Sequence, residues 1–421
     1  MSVYVFRHAD VLDLDAGSLV RNVDVVVGNE SIVSMGQGLP VPADAQGVYD
    51  ATGLTLMPGL IDCHVHATAS TVNLGVSAKM PNALSVIRAL PILKGMLSRG
   101  FTSVRDAGGS DWALSSASKD WLIDAPRIFP SGKALSQTGG HGDFRQRGDQ
   151  LEACSCSYRI GDIGRVVDGV DEVRRAARDE LTRGATQIKV MASGGVTSPN
   201  DPIGNTGYSM DELKAIVAEA EAWQTYVMAH AYTPRAIRRA VEAGVRTIEH
   251  GNLIDEETAQ LLREKNVFVV PTLITFDMLA VEGEKFGLPP ESIAKVDDVR
   301  LQGRAAIAML HRVGVKMGFG SDLLGESHRH QSAELQVRAE IVGNLESIRS
   351  ATTVAAEILM RAGQLGVIRP GATADILLVR GNPLEDIGVL TGQGEGLAAI
   401  MKDGRFFKNE LIQLAGVAVA S

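Results

Sequence analysis

Along the first 57 residues apolar and polar positions alternate with a period of two, the period of a strand covered on one face. Met1-Ser2-Val3-Tyr4-Val5-Phe6 opens in this way. Val23-Asp24-Val25-Val26-Val27 and Ser31-Ile32-Val33-Ser34-Met35 flank Gly28-Asn29-Glu30, which predicts a hairpin across a Gly/Asn turn. From about residue 58 the pattern changes. Short apolar runs predict strands at 60–66, 101–105, 127–131, 186–191, 225–230, 245–250, 267–271 and 315–320, with helical stretches between them. Ser209-Met-Asp-Glu212 is a capping box before Leu213. Thr233-Pro234 supplies an N-cap and first turn, and Gly244 stops that helix. Leu301 to Arg312 is amphipathic and ends at Gly314.

Apolar runs this short, separated by helices, predict parallel strands covered on both faces. Eight such units over about 300 residues predict a (β/α)8 barrel. A doubly wound open sheet would carry a Gly-rich phosphate turn after its first strand, and none follows residue 66. Past residue 365 the strand-and-turn texture returns in Ala374 to Arg380, Leu397 to Met401 and Arg405 to Lys408. The expected architecture is α/β: a distorted (β/α)8 barrel over 58–364 and a small β-sandwich from 1–57 plus 365–421. Leu414 to Ser421 carry no charge, which is compatible with packing on that sandwich or with fraying.

Composition narrows the partners. The chain has 421 residues, 45% of them hydrophobic and 22% charged, which is ordinary for a globular protein with a large core. A net charge of −9 and the lack of a basic block argue against nucleic acid or an anionic membrane as partner. Cys63, Cys154 and Cys156 are too few for a disulfide framework, and Cys154-Ser-Cys156 lacks zinc-knuckle spacing. Three reduced thiols, no leader-like apolar segment at the N-terminus and no run of about 18 apolar residues predict a cytoplasmic protein. A homo-oligomer is compatible with all of this.

Candidate chemistry falls at the ends of predicted strands, where this barrel places its active site. His64 and His66 sit side by side on the first strand, with Val65 turned away. The fourth strand carries Lys189, the fifth ends at His230, the sixth at His250 and the eighth at Asp322. A single histidine at a strand end is ordinarily just hydrogen-bonded, and Asp322 alone could cap a helix. Lys189 lies between Ile188 and Val190, where an unpaired ammonium is costly. It requires either a carboxylate partner or carbamylation by CO2, which makes it an anion able to bridge two cations. Six such residues at five strand ends are hard to dismiss together.

Those residues sit in motifs that resemble the amidohydrolase superfamily along nearly the whole chain. They are Met57-Pro-Gly-Leu-Ile-Asp-Cys-His-Val-His66, Ile188-Lys-Val-Met-Ala-Ser-Gly-Gly195, Met228-Ala-His-Ala-Tyr232, Ile248-Glu-His-Gly251, Gly320-Ser-Asp322 and Arg369 to Leu378 with Gly381-Asn-Pro383. The Lys189 and Tyr232 motifs resemble the metallo-dipeptidase and carboxypeptidase branch, which is related in sequence to imidazolonepropionase and includes Xaa-Pro dipeptidases. The resemblance implies two divalent ions, most often Zn2+. His64, His66 and Asp322 would hold one and His230 and His250 the other. Carboxylated Lys189 and a hydroxide would join them. It also implies that Asp322 moves the proton and that His141 and Tyr232 receive a substrate carboxylate. Imidazolonepropionase is mononuclear and lacks the lysine, so Lys189 speaks against that activity.

The expected reaction is hydrolysis of a dipeptide with a C-terminal proline or other neutral or apolar residue. Recognition of C-terminal Arg or Lys would need a buried acid, and Glu326 and Asp201, on loops, are expected to face solvent. Amidase action on an N-acyl amino acid or a toxin amide, and cyclic-amide hydrolysis, use the same site. A single-metal deaminase would not need Lys189. A metal-free interaction protein would leave gaps in the ligand set, and there are none. Arg105 is expected in a structural ion pair with Asp106 or another acid. His328 and His330 are expected in a solvated loop, and Met191 and Ser193 to Gly195 in the wall near Lys189.

Overall fold

Strands from both halves of the sequence build the smaller layer of the computed structural model, which describes residues 2–145, 158–198, 201–285, 287 and 290–414. The N-terminal segment supplies β1 (Val3–Asp13), β2 (Ser18–Gly28), β3 (Ser31–Gly36), β4 (Gly47–Asp50) and β5 (Leu54–Pro58). The predicted hairpin is β2–β3, with Gly28 opposite Ser31. Asn29 takes the left-handed backbone such a turn needs, at φ 53°.

The barrel begins immediately. β6 (Leu60–Val65), β7 (Phe101–Asp106) and β8 (Arg127–Phe129) pair in parallel. β9 (Ala134–Ser136), β10 (Gly164–Val166), β11 (Ile188–Met191), β12 (Val227–Ala231), β13 (Thr247–His250) and β14 (Phe268–Val270) form a second parallel set in the order β10-β9-β11-β12-β13-β14. Thr186 N–H donates to Pro130 O (2.8 Å) and Gln187 Nε2 to Phe129 O (3.0 Å), joining the two sets. β8 is shorter than expected because Pro130 has no N–H to continue the ladder. β9 and β10 were not expected; at three residues each they leave no period to read.

The eighth predicted strand, 315–320, is not a regular strand among the described residues. It touches β14 through a bridge at Met317 and two bonds, Val269 N to Lys316 O and Gly318 N to Val269 O (3.1 and 2.9 Å). On its other side Cys63 N donates to Phe319 O and Asp322 N to His64 O, both 2.8 Å. Phe319 N turns instead to Ser350 O (2.9 Å). A Cβ on Gly318 or Gly320 would lie 2.4 Å from Ile358 or 2.5 Å from Val270. Close packing and backbone partners outside the ladder hold this leg in place, and the result is a distorted (β/α)8 barrel.

The helix end signals hold. Ser209 and Glu212 form the reciprocal capping box, and Thr233 caps a helix with Pro234 in its first turn. Gly244 ends that helix in the left-handed region. The helix predicted at 301–312 extends further, over Pro290–Val313. No helix among the described residues is long and apolar enough to cross a membrane.

The chain returns to the first layer with β15 (Ile376–Arg380), β16 (Leu397–Lys402), β17 (Arg405–Asn409) and β18 (Ile412–Gln413). The order is β17-β16-β15-β5-β1-β2-β3, and β4 pairs with β1 and β18. The layer is thus a strand-rich sandwich from both ends. Arg127 in β8 grips Asp375 just before β15, at 2.7 and 3.1 Å. Cys63 is a free, buried thiol. Cys154, Cys156 and residues 415–421 lie outside the described residues.

Gly59 is the crossing point between the layers. Its N–H donates to Asp375 O (2.9 Å), and Leu60 N–H donates to Gly100 O (3.0 Å). A Cβ here would lie 2.1 Å from Thr102 Oγ1 and 2.8 Å from Thr102 Cβ, so no rotamer change relieves it. Gly59→Ala is expected to cost about 1–3 kcal/mol through overpacking. A urea midpoint equal to that of the parent protein would contradict this.

Candidate metal centre

Five of the eight predicted strand ends deliver side chains to one cavity. His64, His66, Lys189, His230, His250 and Asp322 all line it. Two reach it through unusual backbone: His250 at φ 73° and Asp322 at φ 51° are left-handed. Non-glycine residues hold this region only where the surroundings over-determine them. The turn at His250 matters because neighbouring strand residues otherwise face opposite ways.

In each histidine one ring nitrogen is held by a neighbour. His64 Nδ1 meets Glu249 Oε2 at 2.8 Å, and His66 Nδ1 meets Gly108 O at 2.9 Å. His250 Nδ1 meets Thr272 Oγ1 at 2.8 Å, and His230 Nε2 meets Gly194 O at 3.1 Å. A neutral imidazole that donates from one nitrogen keeps a lone pair on the other. That lone pair is what a metal ligand needs, and the holding contact fixes the ring. His64 Nε2 and His66 Nε2 approach Asp322 Oδ1 at 3.4 and 3.3 Å. His64, His250 and Asp322 offer ligand atoms within 4.8 Å of one another. The rings of His230 and His250 lie 4.6 Å apart. Four histidines and a carboxylate around one cavity fit divalent cations of the zinc type.

Electrostatics follow from burial. Desolvation brings the Lys189 ammonium down to about 8, against the attraction of Glu249 and Asp322. Burial lowers His64, His230 and His250, so they stay neutral near pH 7. Burial pushes the Asp322 carboxyl up, but His64, His66 and His250 outweigh it and hold the group below the usual carboxylate range.

His141 and Tyr232 also line the cavity. The His141 ring stacks on that of His230 at 4.2 Å, and its buried Nδ1 has no hydrogen-bond partner among the described residues. Gly195 allows this, since a Cβ there would lie 2.1 Å from the His141 ring. Tyr232 stacks against His250 at 5.1 Å. Leu74, Phe144, Ile163, Val196, Phe276 and Leu279 form an apolar wall, and Met191 also lines the cavity. Among the described lining residues Asp322 is the sole carboxylate.

Several expectations are corrected. His328 is buried, not solvated, on the short 3-10 helix Gly325–His330. His330 is half-buried, 3.7 Å from Glu282. Asp201 is buried with Asn205 on its carboxylate (2.8 Å), while Glu326 is exposed, and neither lines the cavity. The structural ion pair expected of Arg105 is present, and its acid is Glu249, at 2.9 Å. Glu249 and Thr272, which hold two of the histidines, were not anticipated. An acid inside the apolar run before His250 was the available signal.

The chain belongs to the amidohydrolase family, whose model matches residues 55–407. It is a hydrolase acting on C–N bonds, of the dipeptidase-like branch, in a family that is generally metal-dependent. Among solved structures it is similar to a prolidase complexed with N-methylphosphonate-L-proline (59% identical, 97% of this chain and 100% of that one, TM-score 0.95). A Xaa-Pro dipeptidase with methionine in its active site is 28% identical, with 97% and 100% coverage and a TM-score of 0.84. Ochratoxinase of Aspergillus niger is 32% identical over 421 residues, 95% of this chain and 86% of that protein.

Proposed function

We propose that the protein is a binuclear metal-dependent dipeptidase that cleaves the peptide bond before proline or another neutral, apolar C-terminal residue. The observation that carries this reading is the convergence of His64, His66, Lys189, His230, His250 and Asp322 on one cavity. His64, His66 and Asp322 would hold one ion, and His230 and His250 would hold the other. Zn2+ suits this donor set. Lys189, partly deprotonated near neutral pH, would attack CO2 with its free amine and release a proton to water, giving a carbamate whose negative charge suits a site for two cations. When bound, the ions lower the pKa of a water and polarise the scissile carbonyl.

The remaining work falls to side chains. Asp322 accepts a proton from the attacking water and delivers it to the leaving amine, which must be protonated to depart. His141 and Tyr232 receive the substrate's carboxylate; the unpartnered Nδ1 of His141 supports that role. The apolar wall, with no second carboxylate among its described residues, favours a neutral side chain over Arg or Lys. The prolidase and Xaa-Pro dipeptidase likenesses support proline first. A second reading, amidase action on an N-acyl aromatic amino acid, draws on the same wall, with Phe276 in it, and on the likeness to ochratoxinase.

The test pairs metal analysis with a substrate panel. About two Zn2+ per chain are expected, with release of free proline from Xaa-Pro dipeptides faster than of Arg or Lys. Removal of the ions by chelator should abolish turnover, and Zn2+ should restore it. Full activity after chelation would sink the mechanism. Activity confined to cyclic amides or N-acyl aromatic amino acids would leave the site standing and refute the substrate.

A further inference from the structure

Beneath the cavity lies a charged pair with no solvent contact. Glu249 and Arg105 are both fully buried. Arg105 Nη2 reaches both Glu249 oxygens, at 2.9 and 3.0 Å. Thr247 Oγ1 donates to Glu249 Oε1 at 2.5 Å, and Arg105 Nη1 donates to that same hydroxyl at 3.1 Å. Arg105 Nε donates to Cys63 O at 2.6 Å, anchoring the guanidinium to β6 next to His64. The second Glu249 oxygen faces His64 Nδ1 at 2.8 Å. A lone carboxylate would be costly at this depth, and a buried pair is no reliable gain over apolar packing. The pair therefore calls for a role other than stability.

We infer that Glu249 is a positioning residue for the cation site: it holds His64 as the Nδ1–H tautomer with Nε2 free, and Arg105 holds Glu249 in place to do so. This rests on the reading of the cavity as a metal site. The geometry leaves few alternatives. An ionised carboxylate only accepts, so the His64 nitrogen facing it carries the hydrogen. His64 Nε2 is then the acceptor, 3.4 Å from Asp322 Oδ1 where the ligand atoms gather. Glu249 also precedes His250, whose left-handed backbone brings its ring to 5.0 Å from that of His64. One dipeptide thus fixes a histidine of the first ion and supplies a histidine to the second.

Glu249→Gln keeps the shape and removes one acceptor. Its amide cannot offer oxygens to Arg105, Thr247 and His64 together, so the Nδ1–H tautomer of His64 loses its hold. The expected result is a split in zinc affinity: one of two sites weakened about 10–100-fold in chelator competition, the other little changed. A merely structural role would lower the unfolding midpoint and leave both affinities as they were. The second readout needs no variant of Glu249. In metal-free wild-type protein labelled with 15N-histidine, the His64 signal, assigned by its loss in His64→Asn, should show Nδ1 protonated and Nε2 bare. A His64 protonated on Nε2 in the wild type, or wild-type zinc affinity at both sites in Glu249→Gln, overturns the inference alone. A wild-type protein that binds no Zn2+ overturns the metal reading and this inference with it.

Discussion

Lys189→Ala is expected to leave a folded protein that has lost bound metal and at least about 10²–10³-fold in kcat/KM. Lys189 is 1% exposed, on β11 between Ile188 and Val190. On the proposed reading, alanine removes the carbamate that would join the two ions and leaves a hole of matching length. Formate, acetate or propionate can enter such a hole and present two oxygens where the proposed carbamate would stand. Partial return of both metal and activity on adding these acids is therefore expected, and small amines should do nothing. Metal analysis and initial rates, with and without carboxylate, check both halves. Full activity with no additive would remove the carbamate from the mechanism. A protein restored by amines but not by acids would point to an ammonium as the working form.

Asp322→Asn is the second large effect, and it separates proton transfer from architecture. Asparagine tolerates the left-handed backbone that Asp322 adopts at φ 51°, so the turn is kept. It also retains one oxygen toward the ion. What it cannot do is accept the proton from the attacking water and return it to the amine. A fall in kcat of about 10²–10⁴-fold is expected, with a smaller change in KM. Steady-state kinetics beside metal analysis decide the matter. Retained metal with lost kcat is the expected pattern, whereas wild-type kcat would take Asp322 out of proton transfer.

The strand-end residues were legible because the local pattern and the chemistry coincide. Each closes a short apolar run, and in this barrel the end of a run is the mouth of the site. Ser209-Met-Asp-Glu212 and Thr233-Pro234 were legible for a similar reason: a cap is a contact between residues three apart or fewer, so the sequence contains both partners. Arg105 and Glu249 were different. Their pairing joins β7 to β13, and nothing local to either strand names the other. Burial logic would have matched them, since two opposite charges inside apolar strands need each other. The leg at 315–320 reads as a strand by composition, yet its backbone bonds are divided among Val269, Cys63 and Ser350 and make no regular ladder. His328 and Asp201 were misplaced because a polar residue in a polar loop carries no sign of which way the loop folds back.

The sandwich from both ends has a consequence for how the protein is made. β5 lies between β1 and β15, and Pro58 pairs with Ile376. A ribosome adding about 5–20 residues per second needs roughly 15–65 s to deliver that second strand. Through that interval β5 presents an open edge with Leu56 and Met57, residues that are fully buried once the layer is complete. The barrel is synthesised entirely within this window. Gly59 therefore joins the early barrel to a half-sheet that stays unfinished until β15 has been made.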